Sequence, residues 1–304
     1  YLMTPMMNVD LTVWLVTIGV LVAVIVFDLI YQIRHPHEPT FKESAIQSAI
    51  YMGLALAFTF VVGHLWGGQY AGEYLAGFIT EKSLSVDNLF VFLIILTRLR
   101  IEREKEQLVL LLGIIMALVM RGIFIIVGAA VVERFVAIFF FFGAILLWTA
   151  YKLITEDAEE DEWQENRIIT ALRKRGYSTF TIALVALGTT DLLFALDSIP
   201  AIFGLTENVY VVVTANVFAL MGLRQLYFLI GGLMQRLIYI GKGLSVILGF
   251  IGVKLLFHAF HAVDIHKIGG FKIPDITITQ SLSVIVGVLT IATFSSLYVT
   301  SKRK

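Results

Sequence analysis

Apolar residues run along this chain in long uninterrupted blocks rather than alternating with polar ones. The blocks cover about 11–31, 49–67, 74–97, 108–131, 135–154, 180–204, 208–232, 237–259 and 276–298, each close to the roughly 20 residues a helix needs to cross a hydrocarbon core. The pattern predicts an all-α, polytopic membrane protein of about nine transmembrane helices, folded as a single membrane domain over residues 1–304. Most joins between blocks are short. The longest polar stretch, 155–179, carries the run Glu156-Asp157-Ala158-Glu159-Glu160-Asp161-Glu162 and then Arg173-Lys174-Arg175. Charge blocks of this kind read as a solvated, partly helical linker.

Composition agrees. Hydrophobic residues make up 58% of the chain and charged residues 15%, against about 25% charged in soluble domains. The first block is too long for the core of a signal peptide. No cysteine occurs, which excludes disulfides, thiolate ligands and cysteine catalysis together. No basic patch with interleaved aromatics supports nucleic-acid binding. Lys and Arg set the orientation. With the N-terminus outside and the C-terminus cytoplasmic, the inner loops hold Arg34 and Lys42, the cluster from Arg98 to Lys105, the cluster from Arg167 to Arg175, Arg236 and Lys242, and Lys302, Arg303 and Lys304. The outer loops hold only Arg134, Lys267 and Lys272.

One pattern is written twice. Thr80-Glu81-Lys82-Ser83-Leu84-Ser85-Val86-Asp87-Asn88-Leu89 matches Thr190-Asp191-Leu192-Leu193-Phe194-Ala195-Leu196-Asp197-Ser198-Ile199, 110 positions on. The block after each copy carries an arginine seven residues before a glycine: Arg121 before Gly128, Arg224 before Gly231. The block after that ends in Lys152-Leu153-Ile154 or Lys254-Leu255-Leu256. Repeat one thus covers about 74–154 and repeat two about 180–259, with peripheral helices at about 11–31, 49–67 and 276–298. Three helices is an odd number, so the second unit enters the membrane from the opposite side. Inverted repeats of this kind place transporter binding sites near mid-membrane.

Carboxylates inside apolar blocks are costly and mark function by default. Glu81, Asp87, Asp191 and Asp197, with Asn88 and Ser198, are the candidate metal ligands. Arg121, Arg224 and Lys82 are the candidate charge-compensating groups, and a purely structural set of ion pairs is the plainer alternative. Six residues separate Glu81 from Asp87, so on a regular helix they point about 120° apart and differ in height by about 9 Å. Both serve one ligand only if the helix unwinds between them or each meets a partner from the other repeat. Pro200 removes a backbone donor and frees the Leu196 carbonyl, so a kink or break is expected there. Oxygen-only donors suit Mn²⁺, Mg²⁺ or Ca²⁺ rather than copper or zinc. His258 and His261, at i and i+3, form a weaker candidate metal pair.

The stretches from Glu81 to Val91 and from Thr190 to Phe203 resemble the two signature motifs of the TerC family of integral membrane proteins. Asn216-Val217-Phe218-Ala219-Leu220-Met221-Gly222-Leu223-Arg224 resembles a third. The resemblance covers about residues 11–298. It implies a bacterial inner-membrane protein related to manganese exporters, and it points to Glu81, Asp87, Asn88, Asp191, Asp197 and Ser198. Many members carry a further acid three residues before the position of Asp191, where this chain has Gly188. That difference bears on affinity, metal choice or proton coupling.

The expected function is divalent-cation efflux, with Mn²⁺ as transported substrate, no resident cofactor, and the lipid bilayer as surroundings. Moving two positive charges outward against 100 mV costs about 4.6 kcal/mol, so export needs coupling, and protons are the candidate. Two alternatives compete with it. An intramembrane aspartyl protease needs two acids sharing a proton, yet no Gly-x-Gly-Asp stretch precedes either Asp. A membrane scaffold or stress-response protein without transport activity would tolerate acid-to-amide changes.

Overall fold

The computed structural model describes residues 9–34, 40–101, 103–135, 137–155, 167–230, 238–268 and 271–302. The fold is helical: α1 (Leu11–Arg34), α2 (Phe41–Trp66), α3 (Gly68–Arg98), α4 (Arg103–Arg134), α5 (Ile138–Thr155), α6 (Arg167–Lys174), α7 (Thr179–Phe203), α8 (Val209–Leu220), α9 (Leu223–Ile230), α10 (Ile240–Ala262) and α11 (Ile278–Lys302). A two-residue hairpin, β1 (Lys267–Ile268) with β2 (Phe271–Lys272), joins α10 to α11.

Among the described residues six helical stretches are long and apolar enough to cross a membrane: Leu11–Asp28, Phe41–Trp66, Lys105–Val131, Val209–Leu229, Ile240–Ala262 and Ile278–Lys302. The molecule is therefore a multi-pass membrane protein. Among the described residues each apolar block of the sequence lies mainly on helix. α3 is long enough to span at 31 residues, but Glu73, Glu81, Lys82 and Asp87 dilute its apolar character.

Two local expectations need correction. Block 208–232 is not one helix: α8 ends at Leu220 and α9 begins at Leu223. Met221 is extended and Gly222 has φ +74°, a conformation that costs glycine nothing and other residues a great deal. The break expected at Pro200 is absent, since α7 continues to Phe203 and stops at Gly204. Pro200 lies inside α7, and the helix runs on through it for three residues although the proline leaves the Leu196 carbonyl without its usual backbone donor.

Packing explains where the polar residues go. α3 packs on α8 and α7, α4 on α7 and α8, and α5 along α10, with α11 against α3 and α10. One apolar cluster joins Leu89 to Leu96 of α3, Val109 to Ile114 of α4, Ile182 to Leu187 of α7 and Leu223 of α9. A second joins Tyr74 and Phe78 of α3, Ile125 and Ala129 of α4, Ala195 to Phe203 of α7 and Val211 to Ala219 of α8. Between them, on α3, α4 and α7, lie Glu81, Arg121 and Asp191. The helices thus sandwich a charged layer between two dry ones. The outer faces of α1, α2 and α11 stay apolar and exposed at Leu15, Phe27, Phe60, Ile291 and Phe294, as lipid-facing surfaces require.

Candidate metal centre

α3 is unbroken from Gly68 to Arg98, so no unwinding brings Glu81 and Asp87 together. Glu81 instead reaches across the helix interface. Its Oε1 pairs with Nη1 of Arg121 on α4. The same guanidinium donates from Nε to Asp191 Oδ2 at 3.2 Å and from Nη2 to Asp191 Oδ1 at 3.0 Å, a bidentate contact to α7. Nη1 also donates to Ser198 Oγ at 3.2 Å, two turns further along α7. Arg121, Glu81 and Asp191 are 0%, 1% and 3% exposed.

The electrostatics follow from the count. Two carboxyl groups face one guanidinium in a layer shut off from solvent, so the second acid is surplus to this counter-charge and needs a proton or a cation to balance it. Polar atoms near Glu81 along α3 are unspent: the hydroxyls of Thr80 and Ser85 are buried without a hydrogen-bond partner among the described residues. Thr80 and Ser85 flank Glu81 on α3. Buried polar atoms normally find partners, and neutral hydroxyl oxygens beside carboxylates are donors of the kind that hard cations take. Asp87, Asn88 and Asp197, proposed as ligands from the sequence, have side chains outside the described residues. No group of three or more acids or histidines close enough to hold a metal ion exists among the described side chains.

The other two basic groups do different work from Arg121. Arg224 turns away from this layer; its Nη2 donates to Asp28 Oδ1 of α1 at 2.8 Å and its Nη1 to Gln107 Oε1 of α4 at 3.0 Å. Lys82 donates from Nζ to the carbonyls of Ala219 at 2.9 Å and Met221 at 3.0 Å, closing the end of α8. Equivalence in the sequence repeat therefore does not carry over to Arg224, because the break at Gly222 re-aims the residues after it. Asp28 and Gln107 were not singled out in the sequence; the single acid in the first apolar block was the available signal.

His258 and His261 each lie beside a different acid. His258 Nε2 lies 2.9 Å from Glu207 Oε1, and His261 Nδ1 lies 3.3 Å from Asp275 Oδ1. His258 and Glu207 instead line a cleft of about 1210 Å³ where α3, α7, α8, α10 and α11 meet, together with Glu73, Thr206 and Lys254. Glu73 Oε2 accepts from Thr206 Oγ1 at 2.6 Å, and its Oε1 from Gln69 Nε2 at 3.2 Å. Glu73 stands eight residues before Glu81, so about 12 Å of helix separates cleft from charged layer. One turn of apolar packing closes that gap: a Cβ on Gly77 would lie 3.3 Å from Ile202 and 3.4 Å from Ala215.

Gly188, where the family resemblance leads one to expect an acid, faces α4. A Cβ there would meet the Met116 methyl at 2.2 Å, so the thioether fills the space a carboxylate would take.

Comparison with known proteins places this architecture. The description "Integral membrane protein TerC family" matches residues 66–304. An uncharacterised membrane protein of Mycobacterium bovis is 43% identical, covering 94% of this chain and 79% of its own length. One from Myxococcus xanthus is 34% identical over 93% of this chain and 91% of its own. The chloroplast thylakoid membrane protein TERC of Arabidopsis thaliana is 34% identical over 75% of this chain and 65% of its own. No solved structure matches the chain. With four-fifths of its length under the family description and relatives up to 43% identical over most of this chain, the chain belongs to the TerC family of integral membrane proteins.

Proposed function

We propose that this protein is a divalent-cation transporter of the bacterial inner membrane, exporting Mn²⁺ by alternating access. The observation that carries the reading is the Glu81–Arg121–Asp191 layer: buried acids in excess of their counter-charge, with hydroxyls left unpartnered beside them. Such a layer is expensive in a membrane and is repaid by a passing cation. Asp87, Asn88, Asp197 and Ser198 complete the donor set. Arg121 holds the acids in place and sets the spare charge.

Nine spans arranged as two inverted three-helix units fit the packing. Contacts of α3 with α8 and of α4 with α7 exchange under a two-fold relation, while α3 with α7 and α5 with α10 pair like with like. With the N-terminus outside, the cleft around Glu73 opens to the outer face. Protons entering there and replacing the metal on the acids supply the coupling that export needs. The protein carries a substrate rather than transforming one.

The test is Mn²⁺ flux into proteoliposomes holding a manganese-sensitive dye, for the wild type and for Asp87→Asn, Asp197→Asn and Glu81→Gln. Flux that all three substitutions abolish supports the reading. Folded wild-type protein that moves no divalent ion at all sinks it. Flux indifferent to a collapsed proton gradient removes the proton coupling alone.

A further inference from the structure

α3 aims two consecutive charged residues at different targets. Glu81 pairs with Arg121, whereas Lys82 places its ammonium on two backbone carbonyls, Ala219 at 2.9 Å and Met221 at 3.0 Å. Those carbonyls are available because α8 stops there. The Met221 amide closes the last turn on the Val217 carbonyl, and the next bond of this kind runs from Leu226 to the Gly222 carbonyl. The end of α8 lies among the buried residues Phe218, Leu220 and Leu223. A helix C-terminus carries partial negative charge, and carbonyls at membrane depth need a partner.

Converging backbone carbonyls are the groups that replace water around an alkali cation, as they do in potassium pores. A primary ammonium matches such an ion in charge and comes close to potassium in size. We propose that the carbonyl end of α8 is a monovalent-cation site, filled in this chain by the tethered ammonium of Lys82. The lysine thereby fastens α3 to the α8–α9 break. Without that side chain, a free potassium or sodium ion takes its place.

The experiment reads stability and so stands apart from manganese flux. Wild type, Lys82→Met and Lys82→Arg are purified in detergent and melted in potassium, sodium or choline chloride at equal ionic strength. Wild type and Lys82→Arg are expected to melt alike in all three salts. Lys82→Met is expected to melt several degrees lower in choline and to recover saturably as potassium or sodium is added. A Lys82→Met protein that folds but ignores alkali cations overturns the proposal. So does one that fails to fold even in potassium chloride, and so does a wild type with the same alkali response.

Discussion

Arg121 grips Asp191 with two bonds, Nε to Oδ2 at 3.2 Å and Nη2 to Oδ1 at 3.0 Å, across the interface of α4 and α7. The remaining Nη1 serves Glu81 and Ser198. One guanidinium therefore ties three helices together, and its two acidic partners are not equivalent.

Arg121→Gln strands two buried carboxylates, and breaking a buried pair in this way costs roughly 3–5 kcal/mol. Glu81→Gln leaves the Arg121–Asp191 pair charge-balanced, so its cost stays under about 1.5 kcal/mol, the scale of one hydrogen bond. Thermal melting of the purified variants should rank Arg121→Gln far below Glu81→Gln. Both should lose Mn²⁺ flux, the first by misfolding and the second while folded. Equal melting temperatures would show that Arg121 does not hold the layer together.

The chain contains no cysteine, so single cysteines report on access without background. Glu207→Cys, at the exposed cleft wall, should react in intact cells with an impermeant maleimide. Ser85→Cys, buried beside Glu81, should be protected by the packing of Ile202 on Gly77. Adding Ile202→Ala should raise labelling at position 85. Unchanged protection would place the barrier elsewhere.

α5 and α10 meet at two glycines. A Cβ on Gly143 would fall 3.0 Å from the Gly252 carbonyl, and one on Gly252 would fall 3.1 Å from the Gly143 carbonyl. Small residues permit such backbone contact between membrane helices. Gly143→Val should therefore destabilise by about 1–3 kcal/mol, the usual penalty for overpacking, seen as a lower melting temperature and more aggregate on size exclusion. Gly19→Val, with open space around its Cβ position, is the control and should melt like wild type.

Gly188→Asp restores a carboxylate one turn from Asp191. Met116 is unbranched and its methyl end can rotate aside, so the variant should fold. A second surplus charge should lower the manganese concentration that half-saturates flux. A higher half-saturating concentration would show that Met116 is tuned to this chain's site.

Much of the organisation was legible in the chain itself. Length and apolarity fixed the helices, because at membrane depth backbone groups must be bonded internally and helix is the solution open to such blocks. The repeated acid motif marked Glu81, Asp191 and Ser198, since a carboxylate in an apolar block stands out whatever its neighbours do. The repeated arginine marked Arg121 as a charge-compensating group, but not the geometry of a single guanidinium bridging both acids and Ser198.

What tertiary structure decided concerns partners and breaks. The sequence repeat made Arg121 and Arg224 look equivalent, yet the turn at Met221 and Gly222 sends Arg224 to Asp28 and Gln107. It also exposes the carbonyls that Lys82 occupies. Pro200 predicts a break from its missing donor, yet α7 continues through it to Phe203, held by its packing against neighbouring helices. A helix period shows which face a residue occupies; which neighbour it meets depends on how helices far apart in sequence cross, and only the folded packing sets that.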